Sequence, residues 1–270
     1  YKKIVCAYSG GLDTSVMIPW LRENYGSEII TYTGDLGQGE DLAAIKSKAL
    51  NTGASHAVVD DLTDRFVEEF IWPAVRASAL YEGMYPMHTA LGRPLLSARL
   101  VEVALEHGAD AIAHGCTGKG NDQVRFEVTA KALAPQLGIV APLREWELVT
   151  RELEVDYAVE RGIPIPITRE KPYSIDQNLW GCAIECGEME DLWAEPPDDA
   201  WLMTKDPSNA PRGSVEIIIS FEQGIPVAID GRPMGGVELI RHLNDLAGTF
   251  GVGRIDMVEN RVLGLKSREV

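Results

Sequence analysis

Basic residues are scarce in this chain. Lys and Arg total 25 against 41 Asp and Glu, a formal net charge of −16 at pH 7. A surface that negative repels phosphate backbones and anionic lipid, so nucleic acid and membrane are poor default partners. Long apolar runs are missing: no stretch approaches the roughly 20 residues that a bilayer-spanning helix needs. Residues 1–20 also lack the basic-then-apolar layout of a signal peptide. Cysteine is scarce, and Cys6, Cys116, Cys182 and Cys186 are too irregularly spaced for a disulfide framework. These absences predict a reduced, cytoplasmic protein. The chain opens on Tyr1 rather than Met, and the reading expects at least one residue before it. What is present is the profile of an ordinary globular protein, 45% hydrophobic and 24% charged, long enough for one large domain or two smaller ones.

The first half alternates short apolar runs with longer amphipathic ones. Strands are predicted at residues 4–8, 29–32, 56–59, 111–114 and 139–141. Helices are predicted over residues 13–25, from Leu42 to a stop at Gly53, and from Pro94 to a stop at Gly108, with Leu96, Leu100, Val103 and Ala104 on one face. Strand and helix alternating in this way predict an α/β domain: a parallel sheet with helices on both faces. After a helical run over 152–161, Gly162-Ile163-Pro164-Ile165-Pro166 cannot continue a helix. The reading divides the chain there, into a nucleotide-binding domain over residues 1–162 and a smaller α+β domain over 163–270. In the second part, residues 215–221 and 225–229 flank Glu222-Gln223-Gly224 as a hairpin, followed by a helix over 237–247. Residues 195–199 and 207–211 read as mobile loops.

Ser9-Gly10-Gly11-Leu12-Asp13-Thr14-Ser15 stands between the first strand and the first helix. Two glycines let the backbone approach a ligand that a Cβ would block. The hydroxyls of Ser9, Thr14 and Ser15 and the first amides of the helix then point at one anion, which the helix dipole favours. A turn that merely caps a helix would have a similar composition. Other phosphate loops do not fit: Gly118-Lys119 is followed by Gly120, not Ser or Thr, and Ala113 stands where a Walker loop begins with glycine. The segment resembles the S-G-G-x-D-[ST]-S loop of the PP-loop ATP pyrophosphatases, which holds the pyrophosphate of ATP.

A second segment, His114-Gly115-Cys116-Thr117-Gly118-Lys119-Gly120-Asn121-Asp122-Gln123-Val124-Arg125-Phe126-Glu127, leaves a strand and enters a helix. Thr117 and Asn121 offer neutral donors, Asp122 an acceptor for an ammonium, and Lys119 and Arg125 cations for phosphate or carboxylate. A solvated helix start is the plainer reading. The segment resembles the hallmark of the argininosuccinate synthase family. So do residues 7–15, Phe70-Ile71-Trp72-Pro73-Ala74, Ile163-Pro164-Ile165-Pro166, Tyr173-Ser174-Ile175-Asp176 and residues 251–261, with the likeness in register from Lys3 to Arg268.

That resemblance implies a PP-loop nucleotide-binding fold followed by a smaller synthetase domain, and an ATP-dependent ligation of citrulline to aspartate. The ureido oxygen of citrulline takes AMP with release of pyrophosphate, and the aspartate amine then displaces AMP. By position, the resemblance implies that Ala7, Tyr8, Ser9, Gly10, Gly11, Leu12, Asp13, Thr14, Ser15, Gly34, His114 and Gly115 contact ATP. It places Thr117, Asn121 and Asp122 on aspartate, and Tyr85, Ala90, Asn121, Arg125, Ser174, Ala183 and Glu259 on citrulline. It further implies Mg²⁺ on the ATP phosphates rather than on a protein metal site, no prosthetic group, and a homotetramer in the cytoplasm. The family continues beyond the position of Val270, with a tyrosine that closes over citrulline and a helix that clasps neighbouring subunits, so the resemblance implies that this form lacks a C-terminal portion.

Five positions depart from the family's usual residues. Cys116 replaces an alanine, Ala90 and Ala183 stand at serine positions, and Cys182 and Cys186 stand where Arg and Gly are usual. Each lost serine hydroxyl costs a hydrogen bond, worth about 1 kcal/mol net. The two late cysteines, read as one helical turn apart, have no partner pair to complete a zinc site. Two rival classes share the ATP loop: a PP-loop tRNA-modifying enzyme, which the acidic charge opposes, and a ligand-binding relative without catalysis.

Overall fold

A computed structural model describes residues 1–118, 120–164, 174–260 and 265–270. The first elements alternate: β1 (Lys3–Ala7), α1 (Leu12–Tyr25), β2 (Glu28–Asp35), α2 (Leu42–Asn51) and β3 (His56–Asp61). A helical run follows as α3 (Thr63–Phe66), a π-helical turn (Val67–Ile71) and α4 (Trp72–Arg76). Next come α5 (His88–Glu106), β4 (Ala111–Ala113), α6 (Asp122–Leu133), β5 (Gly138–Val140) and α7 (Arg151–Glu160). The remainder holds β6 (Ser174–Asn178), β7 (Gly181–Glu185), β8 (Ile219–Glu222), β9 (Ile225–Ile229), β10 (Arg232–Pro233), α8 (Gly236–Thr249), β11 (Met257–Asn260) and β12 (Leu265–Glu269).

The chain forms two compact units. Among the described residues the first comprises Tyr1–Asp35, Gly39–Asp61 and the chain from Arg93 to Pro164. Its core is a five-stranded parallel sheet in the order β3-β2-β1-β4-β5. β1 shows why these residues make a central strand: Ile4, Val5 and Cys6 are fully buried, as a strand covered on both faces requires. Val16, Met17, Ile18 and Leu21 of α1 pack in the same core with Trp146, Tyr157 and Ala158. The predicted α/β class and parallel sheet are present. The order reverses direction at β1, with β2 on one side and β4 on the other. In an open α/β sheet that switch point is where a crevice opens at the carboxyl ends of the strands.

The second unit comprises Leu36–Gln38, Leu62–Gly92 and the described chain from Ser174 to Val270. It contains the antiparallel pairs β6–β7 and β11–β12 and the sheet β10-β9-β8. Ile184 and Val270 exchange backbone hydrogen bonds of 3.0 and 3.1 Å, which tie β7 to the end of β12. The β8–β9 turn takes positive φ at both Gln223 and Gly224, the mirror-image turn that matches strand twist. No described helix is long and apolar enough to cross a membrane.

Several elements differ from the sequence reading. The helix expected to open at Pro94 begins at His88 and carries Pro94 inside it. Ala90 and Leu95 are buried on either side, so packing holds the run although proline contributes no amide to it. The helical run over 63–76 was not anticipated. Residues 215–218 precede β8 rather than belonging to it, and Val215 and Ile218 are exposed. Cys182 lies in β7 and Cys186 just beyond it, so they are not one helical turn apart: strand geometry sets residues four apart at roughly 13 Å. Residues 195–199 and 207–211 carry short 3₁₀ turns, the second capped by Asp206 accepting from Ser208 N at 2.7 Å. Ile165, Pro166 and Tyr173 lie outside the described residues.

Candidate active site

Three segments of the first unit end at the carboxyl edge of its sheet: residues 8–11 after β1, Gly34 at the end of β2, and His114 to Cys116 after β4. The loop after β1 is shaped by its own side chains. Ser9 Oγ lies 3.1 Å from Thr14 Oγ1 and accepts from Gly11 N at 3.3 Å. Gly10 takes φ +80°, and a Cβ there would stand 3.2 Å from Ile45 Cγ1. From α2, Lys48 Nζ donates to Gly10 O at 2.6 Å, and burial holds this amine below an ordinary lysine. Gly11 is the N-cap of α1, which leaves the amides of Leu12, Asp13 and Thr14 without partners inside the helix.

Ser15 is placed differently from the reading that aimed its hydroxyl at an anion. It is 1% exposed, donates to Gly11 O at 2.6 Å and lies 3.1 Å from the Tyr8 hydroxyl. Tyr8 and Leu12 are also buried; the backbone N and O of Tyr8 are both taken, by Tyr32 O at 2.8 Å and Thr33 Oγ1 at 2.7 Å, which leaves the helix-start amide of Leu12 as the open group of the two. Ser15→Ala therefore removes a buried hydrogen bond at the root of the loop. We expect it to lower the melting temperature by several degrees, the effect of about 1–2 kcal/mol. Differential scanning calorimetry checks this; an unchanged melting temperature would leave the hydroxyl without structural work.

Asp13 faces α7, where Glu154 sits in the first turn. Burial, the negative charge of Asp13 and the hydrogen bond between the two carboxyls raise Glu154, against a smaller opposing effect of Arg151, to about 8. A carboxyl raised in the folded state binds more protons than the unfolded chain between its ordinary value and about 8. Stability then falls as pH rises through that window. Glu154→Gln should flatten the decline in melting temperature between pH 6 and 9, and a parallel decline in both proteins would remove the pair as its source.

The second segment closes on the first. A Cβ on Gly115 would meet Met17 Sδ at 3.3 Å and Thr14 Cγ2 at 3.4 Å, so this loop lies close against α1 and a larger residue would have to displace those side chains. His114 is 1% exposed, and its Nδ1 accepts from Cys116 N at 3.2 Å. Its side chain therefore shapes the loop from inside. Thr117 is exposed, and Asn121 is the N-cap residue of α6. Asp122 has both oxygens engaged: Arg93 Nε at 2.8 Å on Oδ2 and Arg125 NH1 at 2.8 Å on Oδ1. Burial pushes this carboxyl up, but the two guanidiniums outweigh it and hold Asp122 below the usual aspartate range. Lys119 lies outside the described residues.

In the second unit, Tyr85 is buried with its hydroxyl 3.3 Å from Thr89 Oγ1. Tyr81 exchanges backbone hydrogen bonds with Tyr85 and accepts from Asn260 N and Nδ2 at 3.2 and 3.0 Å. That tie brings the Tyr85 turn to β11, where Glu259 is 6% exposed. Ser174 faces Glu185 across the β6–β7 ladder, and Ala183 faces Asp176. Tyr85 and Ala183 line one cavity of about 260 Å³, together with Trp180, whose buried Nε1 has no hydrogen-bond partner among the described residues. Ala90 is buried in α5. Burial pushes the Cys6 and Cys116 thiols up to about 12, so neither is a ready thiolate.

Sequence reasoning missed Lys48, Arg93, Glu127 and Arg144. Only Lys48 left a faint signal, a basic residue on a helix expected to cover the sheet; Arg93 stands just before the helix start expected at Pro94.

The family model described as Arginosuccinate synthase N-terminal HUP domain matches residues 3–164, and that of the Arginosuccinate synthase C-terminal domain matches 173–270. The argininosuccinate synthase of Chlorobium luteolum is 55% identical over 269 residues, covering 100% of this chain and 67% of that protein. The protein of the same name from Chlorobium limicola is 56% identical over the same shares, and one from Desulfitobacterium hafniense is 53% identical. Among solved structures, U34-tRNA thiolase NcsA from Methanococcus maripaludis matches with a TM-score of 0.37 at 16% identity, over 63% of this chain and 62% of that one. With both family models matched in order and relatives above half identity along its whole length, the chain belongs to the argininosuccinate synthase family.

Proposed function

We propose that this chain catalyses the ATP-dependent ligation of citrulline and aspartate to argininosuccinate, with release of AMP and pyrophosphate. The observation that carries the reading is the join between its two glycine-rich loops, where Gly115 lies against Thr14 at the sheet's switch point. In this reading the open amides of Leu12, Asp13 and Thr14 and the dipole of α1 hold the pyrophosphate end of ATP. Lys48 keeps the loop in its left-handed turn, and Gly34 and Gly115 give the nucleotide access to backbone. Thr117, Asn121 and Asp122 bind aspartate, with Asp122 taking the ammonium. Asn121, Arg125, Tyr85, Ser174 and Glu259 bind citrulline, and Ala90 and Ala183 lack the hydroxyls that serines would add.

Such a ligation asks for positioning and for relief of charge at the α-phosphate, so no side-chain nucleophile is needed. Mg²⁺ belongs to this proposal as an ion carried by the phosphates. Such an ion keeps waters and phosphate oxygens as its ligands. When bound, it offsets phosphate charge. A cytoplasmic setting, supported by four free thiols, and a homotetramer, supported by family membership, complete the proposal. The test is exchange of labelled pyrophosphate into ATP. Exchange that requires citrulline but not aspartate supports adenylation of citrulline; exchange without citrulline, or only with aspartate, would overturn the order.

A further inference from the structure

Residues 115–118 and 120–121 have little core of their own. Thr117 and Gly118 are exposed, so the loop's shape rests on hydrogen bonds to its backbone. Those bonds lead to one connected set of side chains behind it. At the near end, Cys116 N donates to His114 Nδ1. That bond fixes the neutral tautomer with its proton on Nε2, which faces Glu127 Oε1 at 3.4 Å. Glu127 Oε1 also lies 2.7 Å from Arg144 NH2; both contacts of this oxygen are charge contacts without hydrogen-bond alignment. Arg144 NH1 donates to Gln123 Oε1 at 2.8 Å, and Gln123 Nε2 donates to Gly118 O at 2.8 Å and Gly120 O at 3.4 Å. The stem of Arg144 also runs beneath the loop, 3.7 Å from where a Gly118 Cβ would stand.

We infer that Arg144 and Gln123 are positioning residues for the amino-acid-binding loop: the run His114–Glu127–Arg144–Gln123 holds its backbone at Cys116 on one side and at Gly118 and Gly120 on the other. Thr117 lies between the two holds, and Asn121 and Asp122 follow directly. The inference rests on the proposed assignment of those three residues to aspartate. Gln123 was part of a motif read for its other polar residues, and its side chain is oriented by Arg144, whose guanidinium donates to Gln123 while its other end stays in charge contact with Glu127. A lysine could satisfy one of these partners only.

The test uses the full chain with Arg144→Met, Gln123→Leu, Arg144→Lys and the double variant Arg144→Met/Gln123→Leu. Amide hydrogen exchange is read at Thr117, Gly118, Gly120 and Asn121, and the aspartate KM is read beside citrulline-dependent pyrophosphate exchange. Each apolar variant should speed exchange at these amides by about tenfold with α6 unchanged, as local opening predicts. The aspartate KM should rise about tenfold while pyrophosphate exchange stays within about threefold, the double variant should be no worse than the single ones, and Arg144→Lys should fall between. Unchanged loop amides, equal acceleration throughout α6, or additive losses would overturn the inference. Gln123→Leu removes no charge and leaves the Arg144–Glu127 pair intact, so it decides the matter if Arg144→Met unfolds. If the unaltered protein performs no ligation, the functional reading fails, and the loop amides still decide this one.

Discussion

Asp122→Asn should lower the rate of ligation by about 100-fold or more, the scale of removing one partner from a hydrogen-bonded charge pair. A role for Asp122 toward aspartate alone would leave pyrophosphate exchange untouched, but the structure ties this carboxylate to more than aspartate. Asp122 bridges Arg93 and Arg125 with one oxygen each, so asparagine leaves two guanidiniums facing a neutral amide. Arg125 is assigned to citrulline, and its loosening should lower pyrophosphate exchange as well, by about tenfold. The pH dependence carries the same sign. A carboxyl held below the ordinary aspartate value of 3.8 contributes stability above that value and loses it as pH falls through its folded value. The Asn variant should therefore lose melting temperature at neutral pH and converge with the parent in acid. A drop in ligation with pyrophosphate exchange untouched would show that Arg125 is set independently of Asp122.

Gly10→Val should abolish measurable ATP binding, a loss of at least about 100-fold. Two physical penalties coincide at this residue. Its φ of +80° is one that β-branched side chains avoid, at a cost of about 1–3 kcal/mol. Its Cβ would also stand 3.2 Å from Ile45 Cγ1, on the same helix that sends Lys48 to the Gly10 carbonyl. The backbone must move, and the first amides of α1 move with it. Gly10→Ala meets the strain with a smaller clash and should weaken ATP by about tenfold. Titration calorimetry with ATP checks both. Normal affinity in the Val variant would show that the nucleotide does not depend on this loop.

The parallel sheet and the phosphate loop were legible because their signals are local. β1 is a continuous apolar run, and the glycines and hydroxyls of residues 9–15 follow it directly. The shape of the loop was less legible. Its hydroxyls were read as aimed outward, yet Ser15 turns inward to Gly11 and Tyr8. The supporting residues were hidden by distance along the chain. Lys48 is 38 positions from Gly10, Arg93 is 29 from Asp122, and Arg144 is 21 from Gln123. No periodicity encodes such pairings. The start of α5 was misplaced because a proline inside a helix looks like the proline that opens one. The Cys182–Cys186 spacing was judged with the wrong repeat, since a strand separates what a helix would bring together.

The most direct measurement is a balance of products from the purified chain supplied with ATP, Mg²⁺, citrulline and aspartate. The account predicts AMP, pyrophosphate and argininosuccinate in equal amounts, with no AMP or argininosuccinate when either amino acid is left out and pyrophosphate without aspartate limited to about one per site. ADP and phosphate as products, or AMP released without both amino acids, would contradict it.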